Sequence, residues 1–100
     1  MKRFWFSFFF ALIATSLSAA SFDCQKTATE VEKLICSNEE LSKLDVELEK
    51  VYKEFLDKTD DESGERIKRE QRAWLQGRDV CKDSACIKIF YTTRILKLAT

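Results

Sequence analysis

The chain has 100 residues, 17 basic and 17 acidic side chains, a formal charge of zero and no histidine. A length of this order makes one small domain, and without histidine neither a Ser-His nor a Cys-His nucleophile can be assembled. Basic residues balanced by acids and spread along the chain also argue against a nucleic-acid partner, which needs clustered Lys and Arg.

The first 20 residues differ from the rest. They hold 14 of the 45 apolar residues, six of the 12 aromatics and no acid. Met1-Lys2-Arg3 is a positive start, Phe4 to Leu17 an uncharged apolar stretch of 14 residues, and Ser18-Ala19-Ala20 a small-residue site. This order is that of a secretory signal peptide cut after Ala20. Fourteen residues are short of the roughly 20 that span a bilayer, so a permanent anchor is not expected. Ser21-Phe22-Asp23 lacks the leucine and small residues that precede a lipidated cysteine. The reading is residues 1–20 as leader and 21–100 as a periplasmic or secreted domain off the membrane, with 15 basic and 17 acidic residues and a net charge of −2.

All four cysteines, Cys24, Cys36, Cys81 and Cys86, fall in the exported part, an even number in an oxidising compartment. Three pairings are open. Cys24 with Cys36 and Cys81 with Cys86 is favoured, because each pair flanks a short turn and closes a small loop. No Cys-x-x-Cys pair and no histidine offer a zinc site, and no Gly-rich phosphate loop is present, so neither metal nor cofactor is expected.

The exported part has no proline and two glycines, which predicts an all-α fold, a disulfide-stapled bundle of three to four helices. Thr27 or Thr29 can cap a short helix carrying Val31, Leu34 and Ile35 and ending near Cys36. From Ser37 to Lys58, Leu41, Leu44, Leu48, Val51, Tyr52 and Phe55 recur at steps of three or four, and Ser37 with Glu40 suits a capping box. The polar run Lys58 to Gly64 reads as an exposed loop. A third helix is predicted from about Glu65 to Cys81 with Ile67, Trp74 and Leu75, and a fourth from about Ser84 with Ile87, Phe90, Tyr91, Ile95 and Leu98. Gly77, inside a helical run, marks either the close approach of a neighbour or an indifferent surface position.

Asp45 borders the apolar stripe of its helix, and Gln71 and Arg78 lie one turn either side of Trp74. Half-buried polar groups need partners, so one expectation is an ion pair from Asp45 to Arg78 or Arg94 with Gln71 nearby; the other is that each faces water. The acidic runs Glu39-Glu40 and Asp60-Asp61-Glu62 lack an apolar pocket that would raise one carboxyl, which favours a solvated face over glycosidase chemistry.

The motif residues occur in a telling order: Phe22-Asp23-Cys24, Thr29 and Glu32, Ile35-Cys36, Leu41, Leu44-Asp45, Leu48, Tyr52, then Gln71-Arg72-Ala73-Trp74-Leu75 with Arg78-Asp79 and Cys81, closing on Cys86, Tyr91 and Arg94. This pattern resembles the LprI-type lysozyme-inhibitor family over essentially the whole exported part. The resemblance implies a small exported helical domain that binds a protein, a lysozyme or another muramidase, and is not an enzyme. It also implies that Asp45, Tyr52, Gln71, Trp74, Arg78, Asp79 and Arg94 form a structural motif. Glu39, Glu40, Asp60, Asp61 and Glu62 are the expected contacts to a cationic enzyme. The alternative function is an envelope binding or structural module with a different protein partner and no lysozyme inhibition.

Overall fold

The computed structural model describes residues 20–100; the expected leader lies outside the described residues, apart from Ala20. A 3-10 turn, Cys24–Lys26, leads into four helices: α1 (Glu30–Ser37), α2 (Glu39–Asp57), α3 (Asp61–Arg78) and α4 (Ser84–Ala99). The described chain is therefore an all-α, disulfide-stapled bundle. None of its helices is long and apolar enough to cross a membrane.

Local chemistry explains the boundaries. Thr29 caps α1 in a reciprocal box: its hydroxyl accepts from Glu32 N, and Glu32 Oε1 accepts from Thr29 N. The expected Ser37–Glu40 box does not form. Ser37 ends α1, and Asn38 at the break accepts from Leu41 N at 3.1 Å. Asn38 is extended, with φ −121° and ψ 114°, so one residue turns the chain between two helices. Ser42 Oγ, buried, donates to Ile35 O at 2.6 Å and ties the two sides of that break together.

The polar run after Lys58 is shorter as a loop than its composition suggests. Asp60 accepts from Ser63 N at 2.7 Å, so α3 begins at Asp61. Asp61 and Glu62 occupy its first turn, where the helix dipole favours acids. Gly64 is consequently helical and buried, and a Cβ there would rest 3.6 Å from Thr59 and 3.8 Å from Leu56 in ordinary contact. At the other end α3 stops at Arg78, short of Cys81.

The core joins Val31 and Ile35 of α1, Leu41, Leu48 and Val51 of α2, Ile67 of α3 and Ile87, Tyr91 and Leu98 of α4. These are the predicted stripes of α1, α2 and α4. α2 and α4 form the most extensive helix pair. α3 stands further off and reaches the others through long side chains: Trp74 edge-on to Tyr91, and Arg94 of α4 donating to Gln71. The cysteines pair as favoured. Cys24–Cys36 fastens the 3-10 turn to the end of α1, with Cα atoms 5.8 Å apart, and Cys81–Cys86 clamps the α3–α4 corner at 5.6 Å. In a domain this small such links supply stability that the core alone cannot.

Candidate functional site

On α2, Asp45, Leu48, Glu49 and Tyr52 lie at helical steps on one face. On α3 the Gln71, Trp74, Leu75 and Arg78 series does the same. The two faces meet across a cleft of about 530 Å³, which Ser21, Phe22 and Glu32 also line. Five of the seven expected motif residues line it: Asp45, Tyr52, Gln71, Trp74 and Arg78. Because α3 stands off on large side chains, the groove stays open.

A hydrogen-bonded chain forms its floor. Asp45, 6% exposed, accepts from the Tyr91 hydroxyl at 2.6 Å through Oδ1, and from Ser21 N at 2.6 Å and Ser21 Oγ at 2.5 Å through Oδ2. Tyr91 Oη in turn accepts from Arg78 Nη1 at 3.1 Å. Arg78, also buried, gives Nε and Nη2 to Asp79 Oδ1 at 3.0 and 2.7 Å, and Glu32 Oε2 lies 4.0 Å away. The guanidinium sits 5.9 Å from the Trp74 ring centroid, and Trp74 Nε1 donates to Phe90 O at 3.3 Å.

The expected direct ion pair from Asp45 to Arg78 or Arg94 is therefore corrected. The Tyr91 hydroxyl stands between Asp45 and Arg78, while Arg94 donates to Gln71 Oε1 at 2.9 Å and lies 3.8 Å from Glu70. A phenol on the α4 apolar stripe needed a polar partner, and that requirement was the available signal for its role. Ser21 carried no such signal.

Electrostatics follow the chain of contacts. Burial raises the Tyr91 phenol above its ordinary 10.0, reinforced by Asp45 and only partly opposed by Arg78. Burial alone would lower the Arg78 guanidinium, yet Tyr91 and Asp79 outweigh it and raise it. Tyr91 is thus a neutral donor across the physiological range, and Arg78 stays charged. Asp45, with three donors aimed at it, is fixed in orientation. Such a floor positions helices and presents the residues above it.

The acids expected to contact a partner are not brought together. Glu39 and Glu40 begin α2, where Glu39 lies 3.7 Å from Lys43 and Glu40 2.9 Å from Lys88. Asp60, Asp61 and Glu62 begin α3, beyond the far end of α2. Nineteen helical residues separate the groups by about 28 Å. The Ser63 backbone N–H holds the Asp60 carboxyl below its ordinary range. Gly77 proves to be a point of close approach: a Cβ there would lie 3.0 Å from Phe90 Cε1 and 3.3 Å from Cζ.

The family model for "Lysozyme inhibitor LprI" matches residues 23–95, a span that takes in both disulfides and every cleft residue except Ser21 and Phe22. The chain belongs to the LprI lysozyme-inhibitor family. Relatives of this LprI domain include "Lipoprotein LprI" of Mycobacterium bovis and of Mycobacterium tuberculosis, each 31% identical over 83 residues. That alignment takes in 79% of this chain and 41% of each relative, so the chain spans about two-fifths of the length of the curated relatives it matches. No solved structure matches it significantly. Cys24 of this LprI domain is committed to its disulfide with Cys36.

Proposed function

We propose that this is a periplasmic or secreted inhibitor of lysozyme-type peptidoglycan hydrolases that acts by binding the enzyme and carries no catalysis of its own. The family match over residues 23–95 carries the reading. The gathering of the motif residues along one cleft supports it, because a scaffold this constrained presents a rigid surface at low entropic cost. The net charge of −2 after residue 20 is modest, so attraction to a cationic enzyme comes from local acids. Of the two groups, Asp60-Asp61-Glu62 is the better candidate for entering a sugar cleft. It forms the corner between the two longest helices, whereas Glu39 and Glu40 already face Lys43 and Lys88.

The test is lysis of peptidoglycan by a c-type lysozyme in the presence of the purified, disulfide-intact protein. Slowing at micromolar inhibitor that weakens with added salt, and weakens further on Asp60→Asn, Asp61→Asn and Glu62→Gln together, is the expected result. No slowing at micromolar excess would sink the proposal.

A specific observation favours a second protein partner. Ile89 and Leu96 of α4 are 64% and 68% exposed, and Ile89 borders an apolar hollow of about 390 Å³ with Trp74 and Phe90. An envelope module would use this face. Ile89→Asp with Leu96→Asp separates the readings: capture of an envelope protein that this variant loses, by a protein that does not slow lysozyme, supports the alternative.

A further inference from the structure

Asp45 is the one buried carboxylate among the described residues, and no lysine or arginine of those residues forms an ion pair with it. Arg78 communicates with it only through the Tyr91 hydroxyl and has Asp79 as its own counterion. A buried charge without an opposite charge is expensive, so the fold ought to supply a cation. The group that meets Oδ2 is instead the backbone nitrogen of Ser21, 2.6 Å away, accompanied by the Ser21 hydroxyl.

The sequence places the end of a small-residue processing site, Ser18-Ala19-Ala20, one bond before that nitrogen. Two independent observations thus converge on the Ala20–Ser21 bond: the leader pattern marks it for cutting, and the fold puts its nitrogen on an uncompensated carboxylate. We propose that hydrolysis of this bond during export makes Ser21 the first residue of the working protein, and that its α-ammonium is the missing counterion of Asp45.

In that step an export peptidase directs water to the Ala20 carbonyl carbon and the C–N bond breaks. The water oxygen remains on Ala20 as carboxylate, and the nitrogen leaves carrying the protons of an ammonium. Ala20 is 7% exposed, so the cut precedes closure of the fold around it. An amide nitrogen offers one hydrogen and no charge; the ammonium offers three and a full positive charge, which adds an ion pair to the hydrogen bond already made to Asp45. The titratable groups that line the same cleft are Asp45 and Glu49 from α2, Glu32 from α1, and Lys68, Arg72 and Arg78 from α3, with Tyr91 of α4 bonded to Asp45. Processing then completes a chain of polar links, Ser21–Asp45–Tyr91–Arg78, that joins the amino terminus to α2, α4 and α3. This inference rests on the leader pattern and is independent of lysozyme inhibition.

The experiment expresses the entire 100-residue chain in an exporting host, reads the first residue by intact and peptide mass, and measures the labelling rate of the α-amine by reductive methylation at mildly alkaline pH. Expected are a chain beginning at Ser21 and an α-amine labelled about tenfold more slowly in the native protein than in the denatured one, since each tenfold corresponds to one pH unit of extra protonation. In Asp45→Asn the protection disappears. If that variant does not fold, the native-to-denatured ratio of the unaltered protein decides alone. A first residue other than Ser21, or equal labelling in both states, overturns the proposal.

Discussion

Removing one oxygen atom, by Tyr91→Phe, tests the floor of the cleft most directly. The ring is fully buried and stays in place, edge-on to Trp74 with centroids 5.0 Å apart, so packing is preserved. Two bonds to charged groups are lost, the donation to Asp45 at 2.6 Å and the acceptance from Arg78 at 3.1 Å. Bonds of this kind contribute roughly 1.5–3 kcal/mol each. Asp45 keeps both Ser21 donors and Arg78 keeps Asp79, so neither is orphaned, and the cost should be close to one bond, about 2–3 kcal/mol. For a domain of this size each kcal/mol moves the melting midpoint by roughly 4–8 °C, which gives a fall of about 10–20 °C. The assay is thermal unfolding of the oxidised protein at neutral pH by far-ultraviolet circular dichroism. Combining the change with Asp45→Asn in a double-mutant cycle should give a coupling of at least about 0.5 kcal/mol. A midpoint lowered by less than about 3 °C would refute the reasoning, because the hydroxyl would then be no structural link.

The same phenol predicts an alkaline limit. The unfolded chain releases the Tyr91 proton near 10.0 whereas the folded chain retains it to higher pH, so above about pH 10 the native state binds more protons and stability falls as pH rises; Tyr91→Phe should flatten that decline in melts taken across the range. Replacing Cys24 and Cys36 by serine should cost about 3 kcal/mol and replacing Cys81 and Cys86 about 2, in the order of the 12- and 5-residue separations; equal losses in denaturant titrations would show that native-state contacts dominate. Gly77→Ala should gain less than the roughly 1 kcal/mol of helix propensity, because the new methyl presses on Phe90, and should recover it in a Phe90→Leu background. An undiminished gain in the single variant would mean that the ring yields freely.

What could be read in advance was what repeats. Leu41, Leu48 and Val51, or Ile87, Tyr91 and Leu98, declare a buried face by spacing alone, and the cysteine separations suggested the pairing that forms. Helix ends were less legible because they turn on single side chains. Asn38 displaced Ser37 as the α2 cap, and Asp60 converted a polar run that looked like loop into the first turn of α3. The cleft was legible as a list of motif residues but not as a network. Asp45 and Arg78 meet only through Tyr91, 46 positions from Asp45, and a contact of that separation leaves no mark in local periodicity. The two acidic groups, similar in composition, lie at opposite ends of a 19-residue helix, a separation that composition does not report.

The outlying position of α3 bears on motion. Only Gly64, Ile67 and Arg78 of its 18 residues are buried, while α2 and α4 bury matching stripes against each other. Opening energies follow buried contact, so backbone amides of α3 should exchange with solvent deuterium sooner than those of α2 and α4, as one cooperative segment. Its two ends are not equivalent, since the α2 end leads into residues 58–60 whereas the Arg78 end runs into the Cys81–Cys86 clamp. Local opening of α3 would therefore start at the end that leads into residues 58–60, with the clamp holding the Arg78 end and Trp74 and Gln71 tying the helix to α4.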